Sequence, residues 1–513
     1  MNTAISHTLA ELVSVLSNAE LRGNPQAEIR SITHDSRAVS LGSLFLCRVG
    51  DAFDGHRFAA DALTRGAVAI VVNRGGLEAA GVTLPEGANV VTVKDTRKAL
   101  PLLACAFYNN PSYALTMVGV TGTNGKTTTT RMIAQILRAA GKSVGSIGTL
   151  GTELNGNPIP SDHTTPEADE LQNLLARLRE EGAEAVVMEV SSHALEQGRT
   201  DGIAYNVGVF TNLSQDHLDY HKTMEAYFEA KAILFSEYPI KFPRPDKKMF
   251  ASVINVGQWE GREMVTLARG DVLTFDPGAG PANLKAENIE LKPESAKFTV
   301  VHDNGVKVER FRIDLPIGGA FQVGNALSAI GAAMKLGVSQ EAIQRGLSEL
   351  PPVPGRFESV LTGERGFSVV VDYAHSPDGI ANLLSSAKEL NPARILIVFG
   401  CGGNRDRTKR PKMGHLAGVH AEIAIVTSDN PRNEDPDFII SEILAGMDAK
   451  NDTEVKAEIH VEPDRRKAIA LALSLAKPGD LVLIAGKGHE DYQIVGDQVL
   501  SFDDRKVAAE ILA

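Results

Sequence analysis

The run Thr121-Gly122-Thr123-Asn124-Gly125-Lys126-Thr127-Thr128 joins an apolar stretch, 115–120, to an amphipathic one, 126–140. Glycines there let backbone N–H groups turn toward phosphate oxygens, and a helix start adds partial positive charge. Lys126 can neutralise terminal phosphates, and the Thr127 hydroxyl can ligate Mg²⁺. The first glycine of a G-x-x-x-x-G-K-[ST] pattern would fall at Val120, and Gly119 stands one place early. Gly-Lys-Thr between a strand and a helix still points to nucleotide phosphates rather than to an ordinary turn.

Glu189 lies at the end of the apolar run 185–190. A carboxylate there faces the crevice beyond the strand ends, where α/β sheets bind ligands. It suits a Mg²⁺ ion, or is a solvated strand-end Glu. Ser191-Ser192-His193 follows, with Gln197 and Arg199 close behind. Neither serine sits in a G-x-S-x-G elbow, so nucleophilic catalysis is not expected. The run 211–221 adds His217, His221, Asp216 and Asp219. His217 and His221, four apart, can share a helix face and bind metal, or are ordinary surface histidines. Lys231, on composition, is a helix lysine laying its stem along apolar neighbours.

Four polar clusters close the chain: Asp372-Tyr373-Ala374-His375, Gly402-Gly403-Asn404-Arg405-Asp406-Arg407, Ser428-Asp429-Asn430-Pro431-Arg432 and Gly486-Lys487-Gly488-His489-Glu490. Each follows an apolar run, so in a parallel sheet all four converge on one edge. Arg405, Arg407 and Arg432 beside Asp429 and Glu490 suit a zwitterionic ligand, with bidentate Arg–carboxylate pairing as the source of specificity.

The elements that must position these groups alternate. Strands are predicted over 43–49, 67–72 and Asn89–Val93, then over 115–120, 185–190 and 207–211. Helices are predicted over 126–140, 168–181 and 325–336, and 250–315 is strand-rich. Four further strands, 367–371, 394–399, 422–427 and Leu481–Ala485, precede the polar clusters. Such alternation implies parallel, doubly wound sheets. Asn109-Asn110-Pro111-Ser112 and Pro351-Pro352-Val353-Pro354-Gly355 are the breaks. With 513 residues, the chain has room for several cores.

Its 52 Lys+Arg against 64 Asp+Glu give a net charge of −12, which argues against nucleic acid as a partner. Cys47, Cys105 and Cys401 are scattered, so neither a disulfide framework nor a zinc site is expected. The first twenty residues suggest an amphipathic helix rather than a signal peptide, and no apolar run reaches the ~18 residues of a membrane span.

Together the motifs resemble the Mur ligases, ATP-dependent amide ligases of peptidoglycan precursor synthesis. The resemblance rests on Gly-Thr-Asn-Gly-Lys-Thr at 122–127, on Glu189-Val-Ser-Ser-His193 and on Asn212 with His217-Leu-Asp-Tyr-His221. It rests also on Pro354-Gly-Arg-Phe-Glu358, Asp372-Tyr-Ala-His375, Asp35-Ser36-Arg37, Gly42-Ser-Leu-Phe45 and Asp54-Gly55-His56. Asp429-Asn430-Pro431-Arg432 is similar to the motif of members that add meso-diaminopimelate to UDP-N-acetylmuramoyl-L-alanyl-D-glutamate. Lysine-adding members usually differ at its last position.

The resemblance implies a three-domain α/β fold: a smaller N-terminal α/β domain (1–112) for the UDP-sugar, a central doubly wound P-loop domain (113–350), and a C-terminal Rossmann-like domain (351–513) for the amino acid. It implies that Ser36, Asp51, Ala52 and Phe53 hold the uridine end, and that Thr164, Thr165, Ser191, Gln197 and Arg199 hold the muramoyl-dipeptide. Gly122, Thr123, Asn124, Gly125, Lys126, Thr127 and Thr128, with Asn325, Arg356 and Asp372, would bind ATP. Arg405, Asp429, Asn430, Pro431, Arg432, Gly486 and Glu490 would bind diaminopimelate.

Thr127 and Glu189 would ligate one Mg²⁺, and His217 with a carbamylated Lys231 a second. CO₂ would thus convert a cation into a carboxylate-like ligand. Lys126, Glu189, His217 and Lys231 would form the catalytic set. The γ-phosphate would pass to the D-Glu carboxylate, and the amine would attack the acyl phosphate without a protein nucleophile. His375 is not expected to be the base, and the third domain is expected to close over the second. A cytoplasmic monomer is implied, with no membrane partner.

Departures from the family are His163 before the Thr-Thr pair, Val256-Gly257-Gln258 after Val-Ile-Asn, and a long stretch at 236–249. A lysine-adding ligase, a folylpolyglutamate synthase and a P-loop switch protein are the competing readings. The four polar clusters oppose the last.

Overall fold

Strands such as Ile395–Phe399 are apolar at every position and wholly buried. That is the pattern of parallel sheets covered on both faces by helices. The computed structural model describes residues 5–50, 53–159, 165–278, 280–448 and 452–513. Among them, three large sheets follow one another along the chain.

The first has five strands, in the order Glu20–Arg22, Asn89–Val93, Ala67–Asn73, Ser43–Leu46, Ser31–Thr33. It is parallel except for the first pair. The central sheet has eleven strands. Its parallel heart runs Val144–Gly148, Ala185–Glu189, Thr116–Thr121, Val207–Phe210, Ala251–Asn255, Asp271–Asp276. The loop at Gly122, the Glu189 carboxylate and the Thr211-Asn212 turn therefore share one rim. Leu284–Lys292, Ser295–Asp303 and Val308–Leu315 extend the sheet as an antiparallel meander, which accounts for the strand-rich stretch.

Helix Lys126–Ala139 buries Met132, Ile133, Ile136 and Leu137, and packs beside helices Phe321–Lys335 and Gln340–Ser348. The third sheet begins with Glu358–Val360 antiparallel to Ser368–Asp372. Leu481–Ala485, Ile395–Phe399, Ile423–Val426 and Glu458–Val461 follow in parallel.

Two helix expectations need correction. Among the described residues, 5–20 do not form one long helix. His7–Thr8 is a strand paired with Glu28–Ile29, and the helix is confined to Leu9–Val13. The Thr8 hydroxyl accepts from Glu11 N and the Glu11 carboxylate from Thr8 N, a capping box that fixes the start. The helix expected at 325–336 begins earlier, at Phe321, so Asn325 lies within its first turns.

The long stretch at 236–249 serves the chain's first break. Arg244 Nη1 donates to Leu115 O (3.0 Å) and Asn206 Oδ1 (2.8 Å), and Nη2 donates to Tyr113 O (3.2 Å). This guanidinium fastens the connection between the first and central sheets. On the other side of that junction, Glu167 pairs with Arg48 (2.7 Å) and Arg199 (3.1 Å), and His34 meets Asp169 (2.9 Å). Among the described residues no helix is long and apolar enough to cross a membrane.

Candidate functional site

Strand Thr116–Thr121 delivers the chain into the glycine loop, and Lys126 starts the following helix. Gly125 takes φ +85°, a left-handed conformation, and a Cβ there would run into Asn325 Oδ1. That packing brings Asn325 against the loop. Thr123 N donates to Asn212 O (3.0 Å) and Asn124 N to Asn212 Oδ1 (2.9 Å), so the neighbouring strand's turn moulds the loop. Lys126 Nζ donates to the carbonyls of Gly122 (2.9 Å) and Thr123 (2.8 Å). Burial lowers the Lys126 pKa, against the pull of the Glu189 and Asp216 carboxylates.

Lys231 is not the snorkelling lysine that composition suggests. It is 1% exposed and its Nζ donates to Gly122 O at 2.9 Å, 4.4 Å above the Tyr227 ring centroid. It has no carboxylate within ion-pair distance among the described residues. Burial and the adjacent Lys126 cation hold its pKa well below the usual lysine range, with Asp216 opposing.

Glu189 is likewise buried rather than solvated. It accepts from Thr149 N (2.8 Å) and Thr149 Oγ1 (3.0 Å) and has no cationic partner in an ion pair among the described residues. A buried carboxylate that no cation contacts directly fits a bound cation. Thr127, also buried, offers its hydroxyl at the start of the helix. Arg356, from the third sheet's approach, reaches that hydroxyl at 3.3 Å and stacks over Tyr373 at 4.7 Å. Asp372 Oδ2 accepts from Phe357 N and Oδ1 from Ala374 N, both at 2.8 Å, which fixes the segment carrying Arg356.

The paired-histidine expectation fails for His221. Its Nε2 is on Ser192 Oγ (2.8 Å) and its Nδ1 faces Glu196 (3.3 Å), so both ring nitrogens are engaged. His217 precedes the short helix Leu218–His221 with φ +54°. It packs edge-on against His193 (4.9 Å). Burial, then the neighbouring His217, pushes the His193 pKa down to about 4. Among the described residues no three His, Cys, Asp or Glu side chains gather around one metal position. His375 points its Nδ1 at Tyr373 O (2.8 Å).

At the third sheet's edge, Asn430 is the hub. Its Nδ2 donates to Glu490 Oε2 (2.9 Å), while its Oδ1 accepts from Lys487 Nζ (3.1 Å) and Ile494 N (2.9 Å). Arg432 has φ +52° and donates from Nη1 to Gly403 O (3.0 Å). Pro431 lies against Gly403, and both Arg432 and Arg405 approach Gly402, where a Cβ would stand 2.9 Å from Arg432 Nη1. Gly486 has φ +117°, and a Cβ there would stand 2.6 Å from Asp429 Oδ2. Burial and the nearby Asp429 raise the Glu490 pKa, while burial lowers that of Lys487. Asp429 and Glu490 thus share this edge with the cations Lys487, Arg432 and Arg405.

Three family models match the chain: "Mur ligase family, catalytic domain" over 28–108, "Mur ligase middle domain" over 120–333, and "Mur ligase, glutamate ligase domain" over 355–488. The UDP-N-acetylmuramoyl-L-alanyl-D-glutamate–2,6-diaminopimelate ligase of Geobacillus thermodenitrificans is 44% identical, with 95% of each chain covered. That of Syntrophomonas wolfei is 44% identical over 98% of this chain and 99% of its own. The chain belongs to the Mur ligase family.

A solved structure bearing the same ligase name aligns with this Mur ligase at TM-score 0.68 and 32% identity, covering 99% of both chains. Acinetobacter baumannii MurF shares the fold, at TM-score 0.63 and 20% identity over 94% of this chain and 95% of its own.

Other expected residues of this Mur ligase fall as follows. Ser36 opens a short 3₁₀ turn capped by Asp35, and Phe53 is exposed. Asp51, Ala52, His163 and Thr164 lie outside the described residues. Thr165, buried, donates to Glu189 O at 3.1 Å. Ser191 caps helix Ser192–Glu196. Arg199 Nε donates to Gln197 Oε1 (3.0 Å), whose amide donates to Tyr220 Oη (3.1 Å). Arg407 does not join the cluster at the third edge, because Glu442 and the Phe438 ring hold it elsewhere. Sequence reasoning missed Thr149 and Glu167. Thr149 follows strand Val144–Gly148, which neighbours Ala185–Glu189, so only the strand order reveals it.

Proposed function

We propose that this Mur ligase joins meso-2,6-diaminopimelate to UDP-N-acetylmuramoyl-L-alanyl-D-glutamate, with ATP as the phosphoryl donor, as a monomer in the cytoplasm. The observation that carries this reading is the contact of Asp429-Asn430-Pro431-Arg432 with Glu490 at the third sheet's edge, through Asn430 Nδ2. It occurs in a chain 44% identical, nearly end to end, to ligases of that name. Residues 1–112 hold the uridine end, with Ser36 and Phe53 among its contacts. Residues 113–350 bind the phosphates and the dipeptide, and residues 351–513 bind the amino acid.

The backbone from Gly122 to Thr128 cradles the phosphates, and the Lys126 ammonium balances charge on the terminal group. Asn325, Arg356 and Asp372 meet the rest of the nucleotide. Thr165, Ser191, Gln197 and Arg199 aim the D-Glu carboxylate, whose oxygen displaces ADP from the γ-phosphorus. The diaminopimelate amine then attacks the acyl carbon, phosphate leaves, and the ammonium proton passes to solvent or a nearby carboxylate. Arg405 and Arg432 pair with the amino acid's carboxylates, while Asp429 and Glu490 face its ammonium groups.

Lys231 carries a carbamate in the working enzyme. Its depressed pKa supplies the free amine that CO₂ requires, and the product is an anion beside Lys126 instead of a second cation. Thr127, Glu189, His217 and that carbamate would hold Mg²⁺, which when bound neutralises phosphate charge.

The test is phosphate release with ATP, Mg²⁺ and the nucleotide dipeptide, comparing meso-diaminopimelate, L-lysine and no amino acid, with mass detection of product. Ligation that depends on diaminopimelate is expected. Product with lysine alone would favour the lysine-adding reading, and ATP turnover without an amide would overturn both.

A further inference from the structure

Behind the amino-acid pocket lies a charge pair that touches no expected substrate. Arg465 opens helix Arg465–Leu475, Asp504 opens the last helix, Asp504–Leu512, and both side chains are 0% exposed. The pairing is bidentate: Arg465 Nε donates to Asp504 Oδ1 and Nη2 to Asp504 Oδ2, each at 2.7 Å. The guanidinium's remaining donors face the opposite way. Nη2 also reaches Ala485 O at 3.0 Å, and Nη1 reaches Ser428 O at 3.4 Å.

Those two carbonyls immediately precede Gly486 and Asp429. They belong to different strand ends, one after Leu481–Ala485 and one after Ile423–Val426, which are not neighbours in the sheet. Gly486 lets the groups close up, since a Cβ there would lie 2.6 Å from Asp429 Oδ2 and 3.9 Å from Arg465 Nη2. A buried ion pair adds little net stability over well-packed apolar residues, and its best-attested value is in fixing one arrangement. Rigid support behind a binding group is what holds that group in productive geometry.

We propose that Arg465, oriented by Asp504, is a positioning residue for amino-acid selection: one buried guanidinium ties the Asp429 and Gly486 loops together and sets the spacing of the pocket. The inference rests on the amino-acid-site reading given above, and it makes the last helix a determinant of amino-acid affinity.

The test is steady-state kinetics of the full-length enzyme and of Arg465→Lys and Asp504→Asn, with thermal midpoints measured alongside. Lysine keeps the charge but not the fork of donors. The expected result is a KM for diaminopimelate raised about tenfold or more, as for loss of one charged hydrogen bond. The KM values for ATP and the nucleotide dipeptide should stay at wild-type levels, and Asp504→Glu should recover part of the loss. An unchanged KM for diaminopimelate would overturn the proposal. So would a uniform decline in every kinetic constant in step with the thermal midpoint, or recovery of both variants only as unfolded protein. Wild-type enzyme that ligates lysine instead would strike the diaminopimelate reading, and the clamp would then be read on the KM for lysine.

Discussion

Lys126 and Lys231 donate to the same oxygen, the carbonyl of Gly122, each at 2.9 Å. Two ammonium groups that share one acceptor in a buried site repel each other. Burial disfavours the charge on both, but Glu189 and Asp216 both pull on Lys126, while Lys231 has only Asp216 on its side and is held well below the usual lysine range.

For Lys126, replacement by alanine removes the charge facing the phosphates. Ligation, followed as phosphate release, should fall by about a hundredfold or more, the scale of losing a preorganised electrostatic donor. Near-normal turnover would contradict the assignment of the loop.

For Lys231, alanine should abolish activity, and a short-chain carboxylate should restore part of it by occupying the vacated position. In ¹³C-bicarbonate, wild-type enzyme should show a carbamate carbon resonance that the Lys231→Ala protein lacks. Full activity of the variant without added carboxylate would remove the carbamate from the mechanism.

Arg432 sits at a backbone conformation unusual for a non-glycine residue. Arg432→Ala should raise the KM for diaminopimelate by about tenfold or more through loss of a charge-assisted pair, with the KM for ATP unmoved. Equal diaminopimelate kinetics in the two proteins would refute the role.

The junction of the first and central sheets should respond to pH. Burial opposes protonation of His34, but its hydrogen bond to Asp169 prevails and raises its pKa above the ordinary 6.5. A raised folded-state pKa stabilises most below about pH 6.5, and that contribution is lost as pH rises through the folded value. Thermal midpoints of wild type and Asp169→Asn should therefore differ most in mildly acidic buffer and converge on the alkaline side. A gap that widens with rising pH would disprove the linkage.

Much of this was legible in the chain. The Gly-Lys-Thr turn, the strand-end clusters and the apolar runs predict the parallel sheets and their common rims, because strand ends and glycine turns are local signals. Burial was not legible. Lys231 reads from composition as a snorkelling lysine and Glu189 reads equally as a Mg²⁺ ligand or a solvated strand-end residue, yet both lie in the interior, since the strand and helix carrying them are covered by segments far away in sequence. His221 illustrates the same limit: its spacing from His217 suits a metal, but Ser192 and Glu196 occupy both nitrogens. Arg407 shows that a cluster on one loop need not act together, because Glu442, from another helix, takes it away.

Glu167 holds Arg48 of the first sheet and Arg199 of the central rim at once. Because both pair with one carboxylate, the two arginines stand within a few ångströms of each other at the seam between the first and central sheets. One carboxylate thereby acts as a rivet: were it neutral, two largely buried guanidiniums would face each other across the seam and push it apart.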